Sequence, residues 1–346
     1  MTRRLSARRP LAALVGAVFA LSAALGLLSG VRAADDDTLP AALLAWQARV
    51  AEGETASHAQ QAALQPSLPA REVFYPALPE RPAYTVYFPE GPDVPRLTVV
   101  ALHGMGGTGP GLATSLLSLA RASGWVLVTP TIPYGEWRDP VQLTGEELRL
   151  MPRLNSLLDY VRDEAGVQIA GRVMLFGFSR GAQAALRFSL LYPERVEAVA
   201  AVSAGTYTLP LKSVLTANGP ALAPLPFGVA DLQQLAGRDV DPYRLSAVRY
   251  LIEVGANDNK DGDVPRQWDP FVGKNRVERA TRFAAVMSDL GADTSLAVIP
   301  DTGHELNGAM LEKASTFLSV SAARATSTTQ LVSLSGDLAL SGYDIK

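Results

Sequence analysis

Short apolar runs alternate with helical stretches along most of this chain of 346 residues, and this alternation limits the possible folds more than any other feature. The runs over residues 97–102 and 125–128 are continuously apolar, which is typical of strands covered on both faces of a sheet. Strands are predicted at residues 84–88, 97–102, 125–128, 173–176, 196–202, 250–254 and 295–299, and helices at 112–122, 146–164, 182–191, 277–290 and 306–317. The order predicts an α/β fold with a mostly parallel, doubly wound sheet and helices on both faces.

Composition excludes several classes of protein and of site. The sequence has no cysteine, which excludes a disulfide framework, a thiolate zinc site and a thiol nucleophile. The formal net charge is −3, but residues 1–33 hold five arginines and no acidic residue, so the remainder carries 26 basic and 34 acidic side chains. An acidic body without a basic stripe argues against nucleic acid as a partner.

Residues 1–33 have the pattern of an export signal. Four arginines precede an apolar run over residues 11–28, and small residues follow at positions 31 and 33. This pattern predicts a signal peptide that is cleaved after Ala33, by either the general or the twin-arginine route. An uncleaved anchor is the alternative, because about 18 apolar residues approach the thickness of a bilayer. We expect a periplasmic or secreted protein that is not inserted in a membrane after cleavage.

The rest of the chain divides by composition into three segments, the second of which contains an insertion. Residues 34–71 form a polar N-terminal extension, and residues 72–320 hold the alternating strands and helices. Within that domain, residues 206–245 are rich in Leu, Pro, Ala and Gly and lack a clean period, which is typical of a lid or pocket wall. Residues 321–346 are rich in Ser and Thr and are predicted to be a loosely packed C-terminal tail.

The segment Gly177-Phe178-Ser179-Arg180-Gly181 matches G-x-S-x-G and lies between a predicted buried strand and a predicted helix. A tight strand-to-helix turn of this kind holds a serine hydroxyl at the edge of the sheet. The helix N-terminus behind it favours developing negative charge. Ser179 is therefore the candidate nucleophile.

A serine nucleophile needs a base, and the chain has three histidines. His58 lies in the polar extension, and we expect His103 to stabilise the glycine-rich loop in which it lies. His304 follows the last predicted strand and comes after Ser179 in the sequence. His304 is therefore the candidate base.

The carboxylate that would orient this base is expected after the preceding strand, in the turn of residues 255–263. Asp258 is closest to the end of the strand, and Asp261 and Asp263 remain alternatives. The same turn approaches the spacing of a calcium loop, but Trp268 stands where a bidentate glutamate belongs. We therefore predict no metal at this site.

Two further groups of residues complete the predicted site. Glycines in His103-Gly104-Met105-Gly106-Gly107 allow backbone N–H groups to turn inward, so the N–H groups of Met105 and Arg180 are the predicted oxyanion donors. Four aromatic residues are predicted to contact the substrate: Tyr134, Trp137, Tyr207 and Phe227. In the alternative, these aromatic side chains only pack the insertion against the core.

Together, these motifs resemble the α/β-hydrolase superfamily, specifically exported esterases of the polyhydroxybutyrate-depolymerase and feruloyl-esterase group. The resemblance spans about residues 72–320 and depends on the His103 loop, the Ser179 turn, Asp258 and His304, in this order. It implies hydrolysis of a small-molecule or polymeric carboxylic ester through an acyl-enzyme, with a Ser-His-Asp triad and no cofactor. A thioesterase, a serine peptidase and a catalytically silent binding protein remain alternatives.

Overall fold

A mixed sheet of eight strands organises the residues that the computed structural model describes, which are 67–92, 96–163 and 171–340. The strands of this sheet are β1 (Arg71–Tyr75), β2 (Ala83–Phe88), β3 (Thr98–Leu102), β4 (Val126–Thr131), β5 (Val173–Phe178), β6 (Val196–Val202), β9 (Arg249–Gly255) and β10 (Thr294–Ile299), and a separate hairpin holds β7 (Ser213–Thr216) and β8 (Gly219–Leu222). The helices are α1 (Gly109–Ala122), α2 (Pro140–Asp163), α3 (Arg180–Leu191), α4 (Leu232–Ala236), α5 (Pro242–Ser246), α6 (Asp269–Val272), α7 (Arg276–Asp289) and α8 (Gly308–Leu340). Short 3-10 turns lie at Pro193–Arg195, Asp261–Asp263 and Arg266–Trp268, and Ser67–Leu68 pairs with Gly91–Pro92.

The strands lie in the order β10-β9-β6-β5-β3-β4-β2-β1. The six strands β3 to β6, β9 and β10 are parallel, and β2 is antiparallel to both of its neighbours. The predicted mostly parallel sheet is confirmed, and every predicted strand overlaps an observed one. β1 was not predicted, because most of its side chains are exposed at the antiparallel edge and only its last three residues are apolar.

Two apolar clusters cover the two faces of the sheet. On one face, α2, α3 and α7 contribute buried side chains such as Leu157, Phe188 and Phe283. On the other face, α1 and α8 contribute residues such as Leu116 and Leu318. Because both faces are covered, the parallel strands carry apolar side chains in both directions, which accounts for their continuous apolar sequence.

The connections create a crevice at one edge of the sheet. The chain passes from β3 to β4 on one side and then returns to β5 on the other side of β3. The loops that follow β3 and β5 therefore leave the sheet in opposite directions. In open α/β sheets such a switch point is where ligands bind.

The predicted insertion and tail both differ in the structure. Residues 206–245 form the hairpin β7–β8 and the short helices α4 and α5, and they bury Leu209, Val214 and Val229 in the core. α8 runs from Gly308 to Leu340, so the predicted tail boundary at residue 321 lies inside a helix, and Ala322 is buried. The predicted signal peptide and almost all of the predicted extension lie outside the described residues. Within the described part of the chain, no helix combines the length and apolar character needed to cross a membrane.

Candidate active site

Ser179 lies at the end of β5 in a backbone conformation that is rare for a residue with a side chain, with φ 54° and ψ −114°. Its N–H donates to the carbonyl oxygen of Val202 on the neighbouring strand, at 2.8 Å. A Cβ atom on Gly181 would overlap the carbonyl oxygen of Leu102, and one on Gly177 would lie 2.5 Å from the carbonyl oxygen of Gly181. The flanking glycines are therefore required for the tight turn that exposes the serine hydroxyl.

Ser179, His304 and Asp258 form a chain of hydrogen bonds. The Oγ atom of Ser179 lies 3.0 Å from Nε2 of His304, and Nδ1 of His304 lies 2.8 Å from Oδ2 of Asp258. The network assigns the Nδ1–H tautomer to the ring, so that Nε2 is free to accept the serine proton. The Phe178 ring stacks on the imidazole with centroids 5.5 Å apart. The Asp258 side chain is almost fully buried, whereas a third of the His304 side chain is exposed.

Backbone contacts between two loops bring Asp258 to His304. The N–H of Asn257, after β9, donates to the carbonyl oxygen of Thr302, after β10, at 2.8 Å. A Cβ atom on Gly255 would overlap that same carbonyl oxygen, so a glycine allows the loops to approach. The two carboxyl ends of neighbouring parallel strands thus carry the acid and the base.

A guanidinium group that sequence reasoning missed binds the other oxygen of Asp258. Nη1 of Arg276 donates to Oδ1 of Asp258 at 2.8 Å, and Nη2 donates to the carbonyl oxygen of Asp263 at 3.3 Å. The carboxylate of Asp261 instead accepts from Asn275 at 3.3 Å. Among the three acids considered from the sequence, Asp258 is therefore the one whose carboxylate contacts the imidazole.

His103 holds the loop that follows β3. It is 2% exposed, and its Nε2 accepts from the N–H of Ile132 at 3.0 Å while Nδ1–H donates to the carbonyl oxygen of Gly104 at 2.7 Å. Burial lowers the pKa of His103, which keeps the ring neutral and suits one donor and one acceptor. The N–H of Gly107 closes the turn on the same carbonyl oxygen at 3.1 Å.

An open cavity of about 440 Å³ lies over Ser179. Its wall includes Met105, Arg180 and His304, so both predicted oxyanion residues border the space beside the serine. Arg180 is the first residue of α3, and an N–H at this position has no partner within the helix. The cavity wall also includes Trp137.

The other three aromatic residues predicted to contact the substrate lie elsewhere. Tyr134 packs its ring 4.8 Å from the Arg180 guanidinium carbon and buries its hydroxyl. Tyr207 is 1% exposed and packs on Phe283, and Phe227 packs between Trp268 and Phe271. No residue of the segment 206–245 lines this cavity. Tyr207 is therefore a core residue and Phe227 packs against the core, so neither aromatic side chain lies over the serine.

Comparison with known proteins indicates which fold this arrangement represents. No protein-family model matches the sequence, and neither does any curated protein. Among solved structures, a poly(3-hydroxybutyrate) depolymerase from Bordetella parapertussis superposes with a TM-score of 0.52 at 21% identity, over 71% of this chain and 94% of the depolymerase. The chain has the α/β-hydrolase fold. A poly(aspartic acid) hydrolase from a Sphingomonas species is similar at the same TM-score and identity, over 73% of this chain and 98% of the hydrolase.

Within this α/β-hydrolase fold, the residue after the serine is a buried arginine. The Arg180 side chain is 1% exposed, and its guanidinium forms ion pairs with Glu146 at 2.7 Å and with Glu147 at 2.6 Å. Burial alone would lower the pKa of Arg180, but the interactions with Glu147, Tyr134 and Glu146 together outweigh it, so the pKa is raised. No sequence signal predicted these contacts, because Glu146 and Glu147 lie on α2, far along the chain.

The described acidic side chains near Ser179 do not form a metal-binding cluster. In the part of the chain that the structure describes, no group of three or more His, Asp and Glu side chains is placed to hold a metal ion. In the turn of residues 255–263, Asp258 is engaged by Arg276 and His304, and Asp261 by Asn275.

Proposed function

We propose that this chain is an exported serine hydrolase that cleaves carboxylic esters through an acyl-enzyme. One observation carries the proposal, namely the hydrogen-bond chain from Ser179 through His304 to Asp258 at distances of 3.0 and 2.8 Å. The hydroxyl of Ser179, at one end of these hydrogen bonds, faces a cavity at the switch point of the sheet, where this fold binds ligands. A serine, an imidazole and a buried carboxylate in this order supply nucleophilic and general-base catalysis.

In the proposed reaction, the Ser179 hydroxyl oxygen attacks the ester carbonyl carbon while Nε2 of His304 takes the hydroxyl proton. Negative charge then develops on the carbonyl oxygen and is stabilised by the N–H groups of Met105 and Arg180. The imidazolium gives its proton to the leaving alcohol as the carbon–oxygen bond breaks. Water repeats the attack on the acyl-enzyme with His304 as base, which releases the acid and restores the serine.

Asp258 supports these steps without exchanging a proton. Its Oδ2 accepts the Nδ1–H of His304, which fixes the tautomer and stabilises the imidazolium. The Arg276 guanidinium on Oδ1 satisfies the second oxygen of this buried carboxylate. The acid is thus fully hydrogen-bonded in the state in which it carries charge.

The proposed substrate is a carboxylic ester, because a poly(3-hydroxybutyrate) depolymerase has the same fold and the cavity is open enough to admit a polymer end or a small ester. The same machinery would cleave thioesters or amides, and a poly(aspartic acid) hydrolase is equally similar in fold. Export is proposed from the signal-like residues 1–33. Mass spectrometry of the protein secreted or released from a periplasm should show a chain that begins at Ala34.

The first experiment is hydrolysis of a series of p-nitrophenyl esters of increasing acyl length, together with a matched thioester and anilide. We expect turnover of the esters that is abolished in Ser179→Ala and that falls on acidification, because a protonated imidazole cannot act as base. An organophosphonate probe should label the parent protein at Ser179. Turnover that persists in Ser179→Ala would refute the nucleophile, and faster cleavage of the anilide than of the ester would identify a peptidase.

A further inference from the structure

Residues 132–139 connect β4 to α2 and are called the Trp137 loop below. This loop is hydrogen-bonded near both proposed oxyanion donors, Met105 and Arg180. At its start, the N–H of Ile132 donates to Nε2 of His103, the first residue of the loop that carries Met105, at 3.0 Å. Further along, the N–H of Gly135 donates to Oε2 of Glu146 at 2.8 Å. The loop that lines the cavity through Trp137 is therefore fixed at two points.

The Glu146 carboxylate connects this loop to the residue after the serine. Its second oxygen, Oε1, forms an ion pair with Nη2 of Arg180 at 2.7 Å. At the loop end of the bridge, a Cβ atom on Gly135 would lie 2.7 Å from Oε2 of Glu146, closer than side chains approach without displacement. The absence of a side chain at Gly135 thus gives the carboxylate access to the backbone.

The Arg180 side chain has little freedom to move. It is 1% exposed, its other terminal nitrogen lies 2.6 Å from Glu147, and the Tyr134 ring of the Trp137 loop packs against its guanidinium. Met105 differs, because its side chain is 44% exposed. Arg180 is therefore held by buried side-chain contacts in addition to the turn at Ser179, whereas the Met105 N–H is held by the turn of its loop.

We propose that Glu146 is a positioning residue that holds the Trp137 loop and the Arg180 oxyanion donor as one unit. This inference depends on the proposed function, since it assigns a role within that site. Glu146 acts through Arg180 on the developing oxyanion and through Gly135 on the loop that contacts the substrate. Loss of the bridge should therefore change both kcat and KM.

Glu146→Gln tests the bridge with little change in size. Both partners of the carboxylate are donors, and a glutamine offers one acceptor oxygen and one N–H₂ group, so one of the two contacts must break. We expect kcat to fall by about tenfold and KM to rise by about threefold or more, as small misplacements of reacting groups are costly. Asp159→Asn is the matched control, since it removes an ion pair with Arg195 from the same helix, and it should leave both constants within about twofold.

Gly135→Ala breaks the same contact from the other side. The added methyl group would displace the Glu146 carboxylate without changing any charge. We expect KM to rise in the same direction as in Glu146→Gln. The number of sites that react with the organophosphonate probe gives the concentration of folded active protein, and kcat is calculated from that concentration. All measurements are made well below the unfolding temperature of each variant.

Fluorescence gives a readout that does not need turnover. The chain has four tryptophans, and the Trp137 signal is the difference between each protein and the same protein carrying Trp137→Phe. Acrylamide should quench Trp137 more strongly in Glu146→Gln than in the parent or in Asp159→Asn. If the parent cleaves no ester, the proposed function fails, and the quenching difference alone still decides whether Glu146 holds the loop.

Three outcomes would overturn the inference. In the first, kcat, KM and quenching of Glu146→Gln all match the parent. In the second, quenching changes while the kinetic constants do not, so the loop is held without positioning a substrate. In the third, the loss of activity equals the loss of phosphonate-reactive sites, which would mean that Glu146 only stabilises the fold.

Discussion

Two carboxylates of the site each lie between two hydrogen-bond donors. Asp258 accepts from Arg276 and from the ring N–H of His304, and Glu146 accepts from Arg180 and from a backbone N–H. An amide of the same shape has only one acceptor oxygen, so it would leave one donor facing an N–H₂ group. At such positions the number of acceptors matters as much as the charge.

Asp258→Asn should lower kcat by about 10³–10⁴-fold with little change in KM, because the imidazole loses the partner that fixes its tautomer and stabilises its charge. Asp261→Asn is the matched control, since that carboxylate contacts Asn275 rather than the imidazole, and we expect kcat within about twofold of the parent. Steady-state kinetics on the preferred p-nitrophenyl ester provide the measurement. A large loss of kcat in Asp261→Asn together with a small loss in Asp258→Asn would show that Asp258 is not the acid of the triad.

The residues that could be predicted from sequence alone are those that carry local signals. Ser179 lies in a short motif between a strand and a helix, and His304 is one of only three histidines. Asp258 was favoured by its closeness to the end of a strand, which places it at the edge of the sheet. Arg276 and Glu146 could not be predicted, because their contacts depend on how α7 and α2 pack rather than on any local pattern.

At the level of elements, the parallel strands were predictable because burial on both faces leaves a continuous apolar run. The insertion at residues 206–245 was harder to interpret. Its composition shows that it has apolar side chains to bury, but not which surface covers them. In the structure that surface is the core under α2, α3 and α7, so Phe227 packs on Trp268 and Phe271 instead of facing a substrate.

Phe227→Ala should therefore lower the free energy of unfolding by about 2–4 kcal/mol, as expected for removing a largely buried aromatic ring. We expect its preference for acyl length to stay the same as that of the parent. Urea denaturation measures the first effect, and the p-nitrophenyl ester series measures the second. Trp137→Ala is the counterpart, since it should raise KM with a smaller loss of stability. A shift of the preferred acyl length in Phe227→Ala would show that Phe227 contacts the substrate.

At the scale of the whole molecule, Glu253 is a buried acid that lies outside the proposed mechanism. Glu253 lies on β9, on the same face as Leu251 and toward α8, and its side chain is buried. Within the described residues, neither of its carboxylate oxygens has a hydrogen-bond partner. Burial raises the pKa of Glu253 to about 8, and Lys313 on α8 acts in the opposite direction.

This acid makes the stability of the whole fold depend on pH. Between the ordinary glutamate pKa and about 8, the folded chain binds a proton that the unfolded chain has lost, so rising pH lowers the free energy of unfolding. Glu253→Gln removes this titration. The free energy of unfolding of the variant, relative to that of the parent, should therefore rise by roughly 2–4 kcal/mol between pH 5 and pH 8. Urea denaturation at pH 5, 6.5 and 8 measures the difference. Parallel pH profiles for the two proteins would show that Glu253 does not titrate in this range.

The strained turn at Ser179 also has a consequence for protein engineering. The direction of the hydroxyl is not a property of the five motif residues, because Leu102 on β3 excludes any side chain at Gly181 and Val202 on β6 anchors the serine N–H. If the five motif residues alone were grafted onto another strand–helix junction, the serine hydroxyl would be present but would not be held in the same orientation. The transplantable unit is the set of three adjacent strands β3, β5 and β6, together with the turn between β5 and α3.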